Sequence, residues 1–168
     1  MEQISVNGKT FSVVRMLGKG KGGYSYLVTD GDGEYVVKQI HHEPCDYYQF
    51  GDKIQAELWA YETLEKVGIK MPRMYEVDIP NERILKEYID GPTIAELVPG
   101  DGVKKEYFSQ VREMSKNLYA ANLNIDYYPT NFVVRQDVLF YIDYECNPYM
   151  DQWNFENWGI QYWMKETE

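Results

Sequence analysis

Cysteine, histidine and positive charge are scarce in this chain of 168 residues, and each scarcity excludes a class of function. The two cysteines, Cys45 and Cys146, lie far apart and have no partner at metal-ligand spacing, so neither a disulfide framework nor a zinc site is expected. We interpret the adjacent His41 and His42 as a solvated pair after a strand. Free thiols and two uninvolved histidines are therefore predicted.

Net charge and hydropathy limit the partners of this chain. A formal net charge of −10 would repel a phosphate backbone, so direct nucleic-acid binding is not expected. No apolar run approaches the roughly 20 residues of a membrane span, and the opening residues 1–14 lack the pattern of a secretion signal. The sequence predicts a water-soluble, cytoplasmic protein with one domain, 1–168, and no membrane partner.

The order of predicted elements indicates an α+β fold. Hydrophobic alternation and periodicity predict strands at 11–17, 24–30, 34–40, 73–78, 83–88, 131–134 and 138–143, and helices at 52–67, 103–121 and 151–164. Asp30-Gly31-Asp32-Gly33 is typical of a hairpin turn. Thr93 and Glu96 form a capping box that opens a short helix. Residues 122–131 are expected to be irregular.

A glycine-rich segment follows the first predicted strand. Gly18, Gly20 and Gly23 match G-x-G-x-x-G, and Lys19 and Lys21 add positive charge, so backbone N–H groups there could approach phosphates. A dinucleotide-binding fingerprint would need a helix directly afterwards, whereas a strand is predicted. The motif alone leaves phosphate binding and a flexible hairpin equally open.

A lysine and a glutamate stand on apolar faces of neighbouring predicted elements. Lys38 alternates with Val37, which puts it on the same side of the strand as Val36. Glu57 falls inside the apolar arc of the helix at 52–67. Because burying either charge alone is costly, the sequence predicts an ion pair between them.

Three further polar residues surround the short strands near the end of the chain. Asp126 and Asn131 lie five residues apart on an irregular loop. A carboxylate there can accept the proton of an attacking hydroxyl, and an amide can bind a metal. Asp143 ends the apolar run 139–142, a common position for a Mg²⁺ ligand. Each of these signals is weak alone, since turn-forming aspartates are frequent.

Order and spacing together resemble the protein kinase superfamily. The motifs are, in chain order, LGKGKGGYSYLV, VVK, Glu57, LKEYIDGPTIAEL, NIDYYPTN and YIDYE. Among these motifs, LKEYIDGPTIAEL is most similar to minimal kinases of the RIO type and to the kinase subunit of the tRNA threonylcarbamoylation complex. The resemblance covers residues 11 to about 145. It implies a bilobal fold with a five-stranded antiparallel N-lobe, about 1–88, and a truncated, mostly helical C-lobe, about 89–168.

The resemblance also implies a site for ATP and Mg²⁺. By analogy, Lys38 holds phosphates and is oriented by Glu57, Asp126 accepts the hydroxyl proton, and Asn131 and Asp143 hold Mg²⁺. The remaining nucleotide contacts implied by the motifs are Gly18, Lys19, Gly20 and Gly23 at the phosphates, and Glu87, Tyr88 and Ile89 at adenine.

Several positions depart from the family pattern. Asn124 and Ile125 replace the histidine and arginine of H-R-D, which argues against control by a phosphorylated activation loop. Glu145 replaces the glycine of D-F-G. Only residues 144–168 follow Asp143, so no substrate-binding subdomain of typical size is expected.

The resemblance favours a Ser/Thr protein-kinase-like phosphotransferase whose acceptor and protein partner the sequence does not identify. One alternative is an ATP-binding pseudokinase that regulates a partner, since the D-F-G position is altered. A second is a small-molecule phosphotransferase, although such enzymes normally need a large helical lobe. A role in tRNA modification would act through partner proteins, because the acidic chain is a poor ligand for RNA.

Overall fold

A computed structural model describes residues 2–20, 22–42 and 52–165. They fall into two compact units, one drawn from Met1–Leu58 and Pro72–Tyr88, the other from Trp59–Met71 and Ile89–Glu168. Cys45 and Lys21 lie outside the described residues, so the predictions for them stay predictions. Within the described part of the chain, no helix has the length and apolar character that a membrane crossing requires.

The first unit is built on an antiparallel sheet and the start of one helix. Its elements are β1 (Gln3–Val6), β2 (Lys9–Lys19), β3 (Gly23–Thr29), β4 (Glu34–Ile40), α1 (Lys53–Val67), β5 (Met74–Asp78) and β6 (Arg83–Glu87). The strand order is β1-β2-β3-β4-β6-β5. Five of these strands and the helix were predicted from the sequence within a few residues of their ends.

The described sheet has six strands, so the prediction of five was wrong. The extra strand is β1, which pairs with β2 through a tight turn at Asn7 and Gly8, both with positive φ (49° and 83°). Asn-Gly is a strong hairpin signal, although no strand was predicted before it. The Asn7 N–H also donates to Asp78 Oδ2 (2.9 Å), which fixes the turn against β5.

Apolar residues are buried on both faces of β4. Val37 belongs to a buried cluster with Val6, Phe11, Val28 and Leu85. Val36 and Ile40, on the opposite face of the strand, are buried as well. Lys38 shares that second face, so its charge emerges from an apolar surface.

The second unit combines helices with two short β-ladders. Its elements are the end of α1, then α2 (Ile94–Leu97), α3 (Lys105–Ala120), β7 (Leu123–Asn124), β8 (Phe132–Arg135), β9 (Val138–Tyr141), β10 (Asn147–Pro148) and α4 (Ile160–Trp163). The strands β8 and β9, which pair antiparallel, and the helix α3 were each predicted as elements. The pairing of β7 with β10 was not, because two-residue strands leave no periodic signal.

The segment before α2 packs closely on β8. The predicted capping box is confirmed: the Thr93 hydroxyl accepts from the Glu96 N–H, and the Glu96 carboxylate accepts from the Thr93 N–H. A Cβ on Gly91 would lie 2.0 Å from the Val134 carbonyl oxygen, so only glycine permits this approach. The Val134 N–H donates to the Pro92 carbonyl (3.0 Å).

The predicted helix over 151–164 is wrong as a single element. The chain forms a 3₁₀ turn at Asp151–Trp153, a π-helical turn at Phe155–Gly159 and then α4. The Asn154 side chain accepts from the Asn157 N–H (2.7 Å) and starts a new turn in mid-segment. A Cβ on Gly159 would lie 2.5 Å from Tyr127 Cβ, so the π-helical turn is where the backbone packs against the core.

Aromatic side chains fill the core of this unit. Five are almost completely buried and make edge or stacked ring contacts with one another: Tyr127, Phe132, Tyr141, Phe155 and Trp163. Rings bury large apolar areas, so they supply much of the stability of a small unit. This cluster accounts for part of the high aromatic content of the sequence, 15%.

Candidate functional site

The glycine-rich segment is a hairpin connection between β2 and β3. Gly18 pairs with Ser25 beside a bulge, and the Gly20 N–H donates to the Gly23 carbonyl (2.9 Å). The Lys19 Nζ lies 5.3 Å from the centre of the Tyr24 ring. This geometry is compatible with both readings of the motif, so phosphate binding by Gly18, Lys19 and Gly20 stays a prediction.

One glycine of the motif is required by packing against the lysine strand. A Cβ on Gly23 would lie 2.5 Å from the Gln39 carbonyl oxygen and 3.1 Å from Lys38 Cε. The absence of a side chain at Gly23 therefore lets β3 pass directly beside the Lys38 side chain. Gly18 and Gly20 have no comparable neighbour.

The two histidines follow β4, where His41 is half-buried and His42 is exposed, and each has a hydrogen-bond partner. His41 Nε2 lies 2.8 Å from the Gly20 carbonyl oxygen, and its ring packs 5.1 Å from that of Tyr24. His42 Nε2 lies 2.7 Å from Glu82 Oε1. His41 therefore helps to hold the glycine-rich hairpin, a contact that no sequence periodicity indicates.

The ion pair expected between β4 and α1 is present in the first unit. Lys38 Nζ donates to Glu57 Oε1 at 2.5 Å, and the two side chains are 14% and 10% exposed. The apolar positions around Glu57 on α1 turn its carboxylate inwards. The two charges of a pair so well shielded from water are strongly coupled, because the surrounding low dielectric screens their attraction only a little. The part of this pair in catalysis stays a prediction.

The residues expected near adenine end the sheet. The Glu87 N–H donates to the Arg73 carbonyl (2.8 Å), and Glu87 Oε1 accepts from the Arg73 N–H (3.1 Å). Tyr88 is half-buried and is the last residue of the first unit, while Ile89 is buried and begins the next segment of the second. No contact with a nucleotide is implied by these bonds alone.

In the second unit, Asp126 and Asn131 are joined within one loop. Asn131 Nδ2 donates to the Asp126 carbonyl (3.2 Å), and Asp126 Oδ1 accepts from the Tyr128 N–H (3.1 Å). The Trp163 indole N–H donates to the Tyr127 carbonyl (2.7 Å) and anchors the loop to the core. The five-residue spacing therefore produces a closed loop with its carboxylate half-buried at one end.

Strand register brings Asp143 to this loop. Phe132 pairs with Tyr141, and the Ile142 N–H donates to the Asn131 carbonyl (2.9 Å). Asp143 follows directly, so it lies next to Asn131 along the end of the hairpin. The structure thus assembles Asp126, Asn131 and Asp143 in one region of the second unit.

The donor set in this region is compatible with Mg²⁺. Within 2–20, 22–42 and 52–165, no group of three or more His, Cys, Asp or Glu residues is arranged around a metal ion. Mg²⁺ usually takes one or two carboxylates and completes its shell with waters and phosphates. Asp143 with the Asn131 amide provides oxygen ligands of that kind.

A buried tyrosine missed by the sequence analysis connects these segments. The Tyr141 hydroxyl accepts from the Asp126 N–H (3.3 Å) and donates to the Glu145 carbonyl (3.0 Å). Burial raises the pKa of Tyr141 well above its ordinary value, and the nearby charges of Asp143 and Glu145 add to the effect. Within the run 139–142 this residue is indistinguishable from an ordinary core aromatic.

The altered H-R-D position has a structural role. Asn124 is buried, and its Nδ2 donates to the Trp153 carbonyl (2.8 Å). Ile125 is buried too. Asn124 therefore ties the loop to the chain after β10, which is a packing function.

Sequence similarity places these observations among known proteins. No protein-family model matches the chain. Over 115 residues it is 26% identical to a probable bifunctional tRNA threonylcarbamoyladenosine biosynthesis protein of Methanosphaera stadtmanae, covering 68% of this chain and 22% of that protein. Over 85 residues it is 28% identical to the EKC/KEOPS complex subunit bud32 of Dictyostelium discoideum, covering 51% of this chain and 34% of that one.

Both alignments span well under two thirds of the relatives' own lengths. The chain is thus weakly homologous to proteins of the tRNA threonylcarbamoylation system, whose kinase subunit its motifs resemble.

Proposed function

We propose that this protein is an ATP-dependent phosphotransferase that moves the γ-phosphoryl group of ATP to a hydroxyl group, as a Ser/Thr protein kinase does. In this proposal the first unit is the N-lobe of a kinase-like fold and the second is a reduced C-lobe. The observation that carries it is the shielded ion pair between Lys38 and Glu57, since a lysine on an apolar face, held by a helical carboxylate, is arranged for binding phosphate.

Each polar set would have its own task. Lys38, oriented by Glu57, would bind the α- and β-phosphates beside the hairpin at Gly18, Lys19, Gly20 and Gly23. The backbone at Glu87–Ile89 would bind adenine. Asn131 and Asp143 would hold Mg²⁺, which neutralises phosphate charge when it is bound.

The reaction needs little covalent chemistry from the protein. The bond between the γ-phosphorus and the bridging oxygen breaks, a new bond forms to the acceptor oxygen, and ADP leaves. The acceptor proton passes to the Asp126 carboxylate. The chain would contribute positioning and charge stabilisation, which account for most of the rate enhancement in such enzymes.

Incubation with γ-labelled ATP and Mg²⁺ tests the proposal. We expect labelling of the protein itself or of an added acceptor, and we expect Asp143→Asn to abolish it. Asp101→Asn is the matched control, because Asp101 is an exposed acid of the same unit. Its backbone is left-handed, a conformation that asparagine tolerates. Full transfer by Asp143→Asn would refute the role assigned to Asp143.

The altered D-F-G position favours one other function. Glu145 stands where a glycine is expected, and its carbonyl is bonded to Tyr141. A protein that binds Mg·ATP but transfers nothing would be a nucleotide-dependent regulator. Binding without labelling under the same conditions would establish this second function in place of the first.

Partners are proposed from the relatives. Since one relative is a subunit of the EKC/KEOPS complex, we infer that this chain also works with protein partners in the cytoplasm. With a net charge of −10, it would reach tRNA through those partners and not by its own surface. A small-molecule acceptor would require its own binding surface, and no observation on the described residues supports one.

A further inference from the structure

The Tyr141 hydroxyl lies between the two segments that carry the carboxylates of the second unit. It accepts a hydrogen bond from the Asp126 N–H (3.3 Å) and donates one to the Glu145 carbonyl (3.0 Å). Tyr141 is 0% exposed, so water cannot substitute for either bond. A single oxygen atom is therefore in contact with the loop of Asp126 and with the segment after Asp143.

The position of this oxygen is fixed by packing. Tyr141 pairs with Phe132 across the β8–β9 hairpin, and their rings lie 5.3 Å apart. The Tyr141 N–H donates to the Lys70 carbonyl (2.9 Å), which holds the backbone as well. A ring held at both ends presents its hydroxyl at one place, as a positioning group must.

We propose that Tyr141 is a positioning residue for phosphoryl transfer, whose hydroxyl sets the Asp126 loop relative to the Asp143 segment. The inference rests on the proposed function, which it deepens. In this proposal the hydroxyl acts through Asp126. The Asn131–Asp126 bond (3.2 Å) closes the loop on itself, whereas the Tyr141 bonds connect it to the following segment.

Removing only the hydroxyl isolates this role. In Tyr141→Phe the ring fills the same volume, but two half-buried backbone groups lose a partner, and the Asp126 segment gains freedom to shift. A displacement of about 1 Å at a reacting group costs up to about 100-fold in rate. ATP binding should change little, since none of the groups proposed to bind phosphate is bonded to this hydroxyl.

Tyr107→Phe is the matched control. Tyr107 is also buried in the second unit, and its hydroxyl donates to Asp137 Oδ1 (2.6 Å), on the turn between β8 and β9. The control removes the same atom and one hydrogen bond, without touching the Asp126 loop. Urea unfolding of both variants measures the loss of stability, so that activities are compared where both are folded.

The measurements are ADP release at saturating Mg·ATP, the KM for ATP, and hydrogen exchange of the Asp126 amide. For Tyr141→Phe we expect kcat to fall about 10- to 100-fold, KM for ATP to stay within about threefold, and Asp126 exchange to accelerate about tenfold. Tyr107→Phe should leave all three unchanged. Equal kcat in the two variants, or an unchanged Asp126 exchange rate, would overturn the proposal.

The proposed function and this inference fail separately. If the wild type releases no ADP, phosphotransfer is refuted, while the Asp126 exchange rate still decides whether Tyr141 holds the loop. If Tyr141→Phe does not fold, the wild type alone gives the answer by NMR. A slowly exchanging Tyr141 hydroxyl proton with a cross-peak to the Asp126 amide supports the link, and its absence refutes it.

Discussion

The two units hold their candidate functional groups in different ways. In the first, Lys38 on β4 and Glu57 on α1 are bonded directly to each other, side chain to side chain, at 2.5 Å. In the second, Asp126 and Asn131 stand on a loop and are held through carbonyl, amide and hydroxyl groups. Regular elements can position a charge by periodicity alone, whereas a loop needs bonds from outside itself.

This contrast predicts different consequences of mutation. Losing one member of the Lys38–Glu57 pair leaves a poorly hydrated charge and affects stability and activity together. Losing a loop carboxylate should affect activity with little change in stability, because other groups hold the loop. The predictions that follow test this difference, beginning with the largest effect.

Asp126→Asn should reduce kcat by about 10³-fold, since an amide cannot accept the proton that a general base removes. The loop bonds made by its backbone are unchanged, so the urea midpoint should stay close to that of the wild type. The control is Asp137→Asn, which removes an exposed carboxylate from the β8–β9 turn. The measurement is the initial rate of ADP release. Equal rates in Asp126→Asn and Asp137→Asn would contradict the assignment.

Glu57→Gln should lower the transfer rate about 10- to 100-fold, because the amide keeps the volume but no longer orients Lys38 by charge. It should also raise the KM for ATP, unlike the loop substitution. Glu76→Gln serves as the control: Glu76 makes a similar bond to Lys9 (2.6 Å), but in an exposed pair of the same sheet. An unchanged KM in Glu57→Gln would remove the distinction between the two units.

A double-mutant cycle on unfolding sharpens the same point. Lys38→Met and Glu57→Leu should show a coupling free energy of about 1–3 kcal/mol, as expected for a pair shielded from water. The corresponding cycle at Lys9 and Glu76 should show a much smaller coupling, because solvent screens the exposed pair. Equal coupling in both cycles would contradict the burial argument.

The smallest predicted effect is the pH dependence of the Lys9–Glu76 pair. Hydrogen bonding to Lys9 lowers the pKa of Glu76 below its ordinary 4.5, so this contribution is present above pH 4.5 and lost as pH falls further. The bond to Glu76 raises the pKa of Lys9 above 10.5, so that contribution is lost as pH rises beyond 10.5. The difference in urea midpoint between wild type and Lys9→Ala should therefore be largest between these limits.

Regular elements of the fold were largely predictable, because burial on one face imposes a period on the sequence. The apolar arc of α1 predicted a buried Glu57, and alternation in β4 predicted the face of Lys38. The strand β1 escaped prediction although Asn7-Gly8 signals a hairpin. The segment 151–164 was wrongly predicted as one helix, because three short helical turns place its aromatic residues in the core as well as one helix would.

The geometry of the loop set was not predictable. Motif order predicts that Asp126, Asn131 and Asp143 share one site, and their roles stay predictions, but nothing in their spacing indicates the β8–β9 register that brings them together. Tyr141 escaped notice because a buried tyrosine reads as core, and its hydroxyl acquires partners only after folding. Long-range bonds of this kind leave no periodic signal in a sequence.

The measurement that bears most directly on the central claim is calorimetric binding of ATP with and without Mg²⁺. If Lys38 and Asp143 serve one nucleotide, the wild type binds ATP more tightly with Mg²⁺. Asp143→Asn then loses the enhancement by Mg²⁺, and Lys38→Ala binds weakly under both conditions. Binding by both variants that matches the wild type, or no binding of ATP by the wild type, would contradict the account.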